Sequence, residues 1–82
     1  MADDAEVEQA IRDALAAAGG RSIDPSEAAQ RLAEANWRPL LGRVRRVAIA
    51  MAERGALEIL RKGRPVAPDE VRGVVRFRLP PG

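Results

Sequence analysis

The chain has 82 residues and a formal net charge of +2, with fourteen Lys and Arg residues against twelve Asp and Glu residues. It contains no Cys and no His, and its aromatic side chains are one Phe and one Trp. A disulfide scaffold and a thiolate or imidazole metal site are therefore excluded, and the core must be aliphatic and rich in alanine.

The first predicted helix covers about residues 4–18. Its apolar residues recur at helical spacing, and the acidic residues near its start complement the helix dipole. These apolar residues are Val7, Ile11, Ala14, Leu15 and Ala18. Gly19 and Gly20 end the helix, so Ser22 and Ile23 can form only a short extended segment before the next one.

The start of the second predicted helix is the strongest local signal in the sequence. Asp24 is the expected N-cap, Pro25 suits the first helical position, and Glu27 is placed to complete a capping box. The helix is predicted to run to about Ala35. Its buried side is expected to consist of Ala28, Ala29 and Leu32.

The stretch from Trp37 to Gly55 predicts one amphipathic helix around which the other elements are organised. Pro39 fits its first turn and Gly55 fits the position after its end. The stripe that faces the core contains Leu40, Leu41, Val44, Val47, Ala48 and Met51. The opposite side, exposed to water or to a partner, contains Arg38, Gly42, Arg45, Arg46, Ile49 and Glu53.

Two strands are predicted in the C-terminal part, over residues 57–60 and 74–79. Residues 61–65 form a polar turn between them and residues 66–73 a loop. In the second strand the apolar residues alternate with arginines, which predicts one face on the core and the arginines in solvent. The expected core joins Trp37, Leu41, Val44, Leu57, Ile59 and Phe77. For Trp37 the alternative is contact with a ligand.

This order of elements predicts an α+β fold of the winged helix-turn-helix class, with three helices and a small antiparallel sheet that ends in a β-wing. A three-helix bundle with a loose C-terminal hairpin has the same elements and is the alternative. Residues 1–82 are expected to form a single domain, ordered over about residues 4–79.

Four segments of the sequence resemble a family of small bacterial domains of unknown function that has a winged-helix-like fold. They are SIDPSEAAQRL at 22–32, WRPLLGRVRRVA at 37–48, RGALEILRKGRPVAP at 54–68 and RGVVRFRL at 72–79. The resemblance covers roughly residues 5–79. It implies a fold and adds little about function, because related folds bind DNA, RNA or protein.

Catalysis and cofactor binding are not expected from this sequence. Thr, Tyr, Cys and His are absent, and Ser22 and Ser26 have no neighbouring base to activate them. No small-molecule cofactor or metal is predicted. The acidic N-terminus does not resemble a secretory signal, and no apolar run approaches the roughly 20 residues of a membrane span, so a cytoplasmic protein without membrane association is expected.

The charge is divided unevenly along the chain. Residues 1–36 carry eight acidic and three basic side chains, a net charge of −5, and residues 37–82 carry four acidic and eleven basic ones, a net charge of +7. Such asymmetry favours an anionic partner for the second half. The candidate nucleic-acid-binding residues are Arg38, Arg43, Arg45 and Arg46 on helix 37–54, Arg61, Lys62 and Arg64 at the wing of residues 61–65, and Arg76 with Arg78 on the ribbon.

Two hypotheses follow for the function. The first is a winged helix that binds double-stranded DNA, with the helix in the major groove and the wing on the backbone. The second is a protein-interaction or dimerisation module of the same fold, for which the exposed alanines of the first helix or the strand edge at Ser22 and Ile23 would supply the surface. The alternative to both is a charged face that is only solvated and binds no partner.

Overall fold

A computed structural model describes residues 3–81. Three helices, α1 (Asp4–Ala17), α2 (Pro25–Leu32) and α3 (Leu41–Glu53), precede three strands, β1 (Glu58–Arg61), β2 (Arg64–Val66) and β3 (Arg76–Arg78). The predicted α+β class with a winged-helix-like order of elements is confirmed. Of the predicted domain of residues 1–82, Met1, Ala2 and Gly82 lie outside the described residues.

Capping boxes begin both α1 and α2. The Asp24 carboxylate accepts a hydrogen bond from the Ser26 backbone N–H at 2.9 Å, and the Glu27 carboxylate accepts one from the Asp24 N–H at 2.8 Å. The predicted start of α2 is thus confirmed. Its predicted end at Ala35 is wrong, because Ala33 already has an extended backbone (φ −156°, ψ 103°) that leads the chain out of the helix.

The predicted helix of residues 37–54 consists of two parts. A 3₁₀ turn covers Arg38–Leu40, and α3 begins only at Leu41. Pro39 lies in this tight turn, where its missing N–H leaves no hydrogen bond unmade. At the other end Gly55 adopts a φ of +76° and ends the helix as predicted, with its N–H on the Ala52 carbonyl.

The sheet has three antiparallel strands in the order β2-β1-β3, and a bridge between Ile23 and Phe77 extends it by one residue. The predicted two-stranded ribbon was therefore incomplete. Residues assigned to the turn and the loop form β2, which pairs Arg64 with Arg61 and Val66 with Ile59. A second 3₁₀ turn, Pro68–Glu70, lies in the rest of the predicted loop and packs against α3.

The hairpin between β1 and β2 has a two-residue turn at Lys62 and Gly63. Both residues have positive φ, 54° and 79°, as a type I′ turn requires. The residues that flank such a turn, Arg61 and Arg64, form a hydrogen-bonded pair, so the nitrogen of Pro65 points to the open edge of the sheet. A proline there costs no sheet hydrogen bond and discourages pairing with another strand.

The core lies between the three helices and the inner face of the sheet. Val44, Leu57, Ile59 and Phe77 are buried together, as predicted. Trp37 and Leu41 are only half-buried, because the tight turn places them at the edge of the core and not inside it. Ile49, predicted to be exposed, is also half-buried, and it packs against the core.

Candidate nucleic-acid interface

The arginines on one flank of α3 lie beside the start of α1. Arg43 Nε and Arg46 Nη2 each lie 3.8 Å from Asp4 Oδ1. Arg46 and Asp4 are both largely exposed, whereas Arg43 is half-buried. The acidic first turn of α1 therefore offsets part of the positive charge that the sequence assigned to this surface of α3.

The opposite flank of α3 is partly covered by the chain that follows β2. The Arg45 guanidinium donates a hydrogen bond to the backbone carbonyl of Gly73, 28 residues further along the chain. The Pro68–Glu70 turn packs against α3, and the half-buried Ile49 lies one helical turn beyond Arg45. Arg45 thus holds a segment of its own chain on α3.

The exposed face that remains on α3 is narrow. It consists of Gly42, Arg46, Ala50 and Glu53, with one cation and one carboxylate among them. Arg38 precedes α3 and is exposed, with its guanidinium carbon 4.7 Å above the centre of the Trp37 ring. Arg38 and Arg46 are thus the predicted site residues of this element that stay most open to solvent.

The hairpin of β1 and β2 carries three cations whose side chains, unlike those of Arg43, Arg45 and Arg46, have no partner within the described residues. Arg61, Lys62 and Arg64 are all exposed, and none of their side chains makes a hydrogen bond or ion pair within residues 3–81. The three side chains follow one another around the type I′ turn. Their charges are therefore available to an anion, and the type I′ turn brings the three residues together at the tip of the hairpin.

The two arginines of β3, predicted to lie in solvent, make contacts within the domain. Arg76, which is exposed, donates from Nε to the Ser22 hydroxyl at 2.8 Å and from Nη2 to the Ser22 carbonyl at 2.9 Å. Arg78 is half-buried and donates to Glu58, its neighbour across the sheet, at 2.6 and 3.2 Å. Arg76 thus ties the sheet to the segment before α2, and Arg78 ties β3 to β1.

A groove separates the hairpin from α1 and α2. One wall contains Leu60, Gly63, Arg76 and Arg78 of the sheet, and the other contains Glu27, Gln30, Arg31 and Glu34 from the outer side of α2 and the segment after it. Residues at the end of α1 and just after it, among them Ala17, Ala18 and Arg21, complete it. The tip of the hairpin thus lies beside α2, and α3 does not line the groove.

The family description "protein of unknown function (DUF3253)" matches residues 4–80. The chain belongs to this family. No curated protein matches the sequence. The resemblance seen in the sequence is confirmed as a family relationship, and the residues of the hairpin, the groove and α3 all lie within the matched range.

Sequence reasoning missed two residues of this surface in the DUF3253 domain, Arg21 and Arg31. Both lie in the acidic half of the chain, where the charge balance gave no reason to look for an anion site. The spacing of Glu27, Gln30, Arg31 and Glu34 could have shown a shared polar face, since these residues recur every three or four positions. What joins that face to the hairpin is tertiary structure, which spacing does not reveal.

One carboxylate of the domain has a perturbed acidity. Glu8 accepts hydrogen bonds from Arg12 at 2.8 Å and from Arg54 at 3.0 Å. The hydrogen bond from Arg12, followed by the one from Arg54, lowers the pKa of the Glu8 carboxyl below its ordinary value. Glu8 links α1 to the residue that ends α3, so its role is to hold the two helices together.

Two further findings concern the rest of the chain. Within residues 3–81, no three acidic side chains converge as a metal-binding group. The helices of the described part are too short or too polar to cross a lipid bilayer.

Proposed function

We propose that this domain is a DNA-binding winged helix in which the β1–β2 hairpin is the main contact to the phosphate backbone. The observation that carries the proposal is the set of three exposed cations at the hairpin tip, Arg61, Lys62 and Arg64, without a carboxylate partner among the described residues. A cation that is not already paired gains most from a phosphate. Each phosphate contact also releases counterions from the DNA.

The arginines of α3 have a secondary part in this proposal. Arg46 lies 3.8 Å from Asp4, longer than a direct hydrogen bond, and both side chains are largely exposed. Surface ion pairs of this kind contribute about 0 to 1 kcal/mol, so a phosphate can displace Asp4 at little cost. Arg38 is exposed as well and can reach the backbone. Arg45 is assigned no DNA contact, because it holds Gly73.

The proposal concerns binding and not catalysis. The sequence supplies no His, Cys, Thr or Tyr, and an exposed basic hairpin supports the recognition of an anionic backbone. No base-reading residue is assigned, since the exposed face of α3 offers only Arg46 as a long side chain with hydrogen-bond donors for a base edge.

The sharpest test is Lys62→Asn. Lys62 has a φ of 54°, a conformation that Asn adopts more readily, and Asn-Gly is a preferred type I′ pair. The variant should therefore fold at least as well as the parent while it lacks one hairpin cation. Binding to a mixed-sequence duplex, measured at several salt concentrations, should weaken, and the log–log salt slope should become less negative by about 0.9.

The matched control is Arg12→Gln, which removes one positive charge from α1 at a position outside the hairpin, α3 and the groove. It should leave the salt slope unchanged. The proposal fails if the parent shows no salt-dependent duplex binding at low salt. It fails equally if Lys62→Asn and Arg12→Gln have the same effect.

The second candidate function is a protein-interaction or dimerisation module. Val74 is 83% exposed and Leu79 is 43% exposed, so large apolar side chains flank β3 at both ends. The strand edge at Ile23 supports this less well, because its N–H and C=O both bond to Phe77. Sedimentation of the parent and of Val74→Ser across the micromolar range tests it. If both proteins are monomers, the hypothesis of self-association is excluded.

A further inference from the structure

We infer that the phosphate backbone of the DNA follows the groove between the β1–β2 hairpin and α2, and that α3 is not the element that docks. This inference rests on the proposed DNA binding and assigns its surface. In a typical winged helix the third helix enters the major groove. Here the open groove lies on the face of the sheet that carries Leu60, Arg76 and Arg78, away from α3, and the exposed Arg31 lines it.

The groove and the hairpin tip form one continuous surface. Gly63 of the type I′ turn lines the groove, so the groove reaches the hairpin tip, while Arg61 and Arg64 project from the opposite face of the sheet. The groove measures about 1360 Å³ and is open to solvent. Pockets for small ligands are usually enclosed and measure about 300 to 1,000 Å³. An open groove leaves room for an extended partner such as one strand of a duplex.

The charge of the groove favours an anion. Its lining contains four arginines, at positions 21, 31, 76 and 78, and two carboxylates, Glu27 and Glu34. Arg78 is paired with a third carboxylate, Glu58, so the excess is one positive charge. Arg31 is exposed and makes no hydrogen bond or ion pair within the described chain. Among the described residues the Arg21 side chain donates only to the Ala18 carbonyl, so no carboxylate of residues 3–81 neutralises its charge.

The shape of the groove allows a backbone to approach closely. The wall at the end of α1 contains Ala17, Ala18 and Gly20, which have no long side chains to keep a partner away, beside the longer Arg21. Arg76 is held in place by its two hydrogen bonds to Ser22, and its ion pair with Glu27 is long, at 4.0 Å. A phosphate near Arg76 would therefore meet a positioned guanidinium whose charge is only weakly compensated.

The contrast with α3 supports the same choice. On α3 the carboxylate of Asp4 lies between Arg43 and Arg46, and the chain around Pro68–Glu70 packs on the helix. Only a narrow face remains, and Glu53 would repel a phosphate there. For α3 to dock, Asp4 would have to move away. At Arg31 in the groove no carboxylate has to move, because its side chain has no ion-pair partner among the described residues.

Two glutamates provide a matched test. Glu34 lines the groove and Glu53 lies at the end of α3; both are exposed, and neither makes a hydrogen bond or ion pair in the described part of the chain. Glu34→Gln and Glu53→Gln therefore change the net charge equally and break no contact. We expect Glu34→Gln to tighten duplex binding by about two- to fivefold at low salt, the effect of one surface charge interaction. Glu53→Gln should leave affinity unchanged.

A loss-of-charge variant completes the experiment. Arg31→Gln should weaken binding and reduce the magnitude of the salt slope by about 0.9, whereas Arg46→Gln, which removes a secondary contact, should have a smaller effect on both. Tighter binding by Glu53→Gln alone would contradict the groove as the DNA-binding surface and favour α3. Loss of binding by Arg46→Gln alone would lead to the same conclusion. Equal tightening by both glutamine variants would reveal a general charge effect and also overturn it. A parent that binds no duplex overturns DNA binding itself.

Discussion

Glu8 of α1 and Arg54, which ends α3, are joined by a hydrogen-bonded ion pair of 3.0 Å across 46 residues of sequence. Arg12 holds the same carboxylate from one helical turn further along α1. Glu8 therefore belongs to both a local and a long-range contact. It fixes the C-terminal end of α3 against α1, close to the point where the chain enters the sheet.

This arrangement predicts a pH-dependent contribution to stability. Because the pKa of Glu8 is lowered in the folded domain, its stabilising effect is fully present above the pKa of the unfolded chain, about 4.3, and is lost as the pH falls through the lower folded value. Glu8→Gln should lower the melting temperature at pH 7 and have less effect near pH 3. Thermal unfolding of both proteins across this range measures the difference.

The control for this prediction is Asp13→Asn. Asp13 is an exposed acid of the same helix that accepts only a hydrogen bond from Gln9, at 2.9 Å. Its substitution should produce a smaller and less pH-dependent change. If the difference in melting temperature between the parent and Glu8→Gln stays constant from pH 7 to pH 3, the assigned role of Glu8 is contradicted.

Phe77 is the best position for testing the core. It is fully buried, pairs with Ile59 on β1 and bonds through its backbone to Ile23. Phe77→Ala should lower the free energy of unfolding by about 3 to 5 kcal/mol, a large fraction of the stability expected for so small a domain. Leu79, the residue after β3, is exposed, so Leu79→Ala should lower the free energy of unfolding far less. Urea unfolding followed by Trp37 fluorescence measures both.

The elements that sequence could predict are those with local causes. The start of α2 depends on Asp24, Pro25 and Glu27, which are neighbours in the chain, and the end of α3 depends on Gly55. By contrast β2 exists because Val66 pairs with Ile59 across the hairpin, and Pro65 in that short segment resembles a turn residue. A strand of three residues contains too little sequence to show a period.

The site was harder to predict than the fold, for a physical reason. The sequence identified the hairpin cations, but it could not show that Asp4 would lie beside Arg43 and Arg46, or that Arg45 would bond to Gly73. It also could not show that Arg31, from the acidic half, would share a groove with Arg76. Each of these contacts joins residues that are far apart in the chain, so the local spacing of residues does not predict it.

The contact between Arg45 and Gly73 predicts a change in local stability. Arg45→Ala removes the side chain that holds the segment after β2 on α3, so this segment should open more often. Trypsin cleavage after the exposed Arg72 should become faster, and cleavage after Lys62 should stay the same. Arg46→Ala, the adjacent variant, should not change either rate. Mass spectrometry of timed digests distinguishes the two sites.

Gly42 within α3 and Gly55 just after its end should respond in opposite ways to alanine. Gly42 lies on the exposed face of α3 with ordinary helical backbone, and a Cβ there would meet no atom within 4 Å. Gly42→Ala should therefore raise the free energy of unfolding by about 0.5 to 1 kcal/mol, because alanine loses less backbone entropy on folding. Gly55→Ala should lower it by about 1 to 2 kcal/mol, since Gly55 has a φ of +76°.

The same Gly42 variant also bears on the mode of binding. A helix that enters a DNA groove brings its exposed face close to the partner, and an added methyl group at Gly42 would lie on that face. If the phosphate backbone of the DNA follows the groove beside α2, Gly42→Ala should stabilise the domain and leave duplex affinity unchanged. Weaker binding by a protein that melts at a higher temperature would show that α3 approaches the DNA, because loss of folding could not explain it.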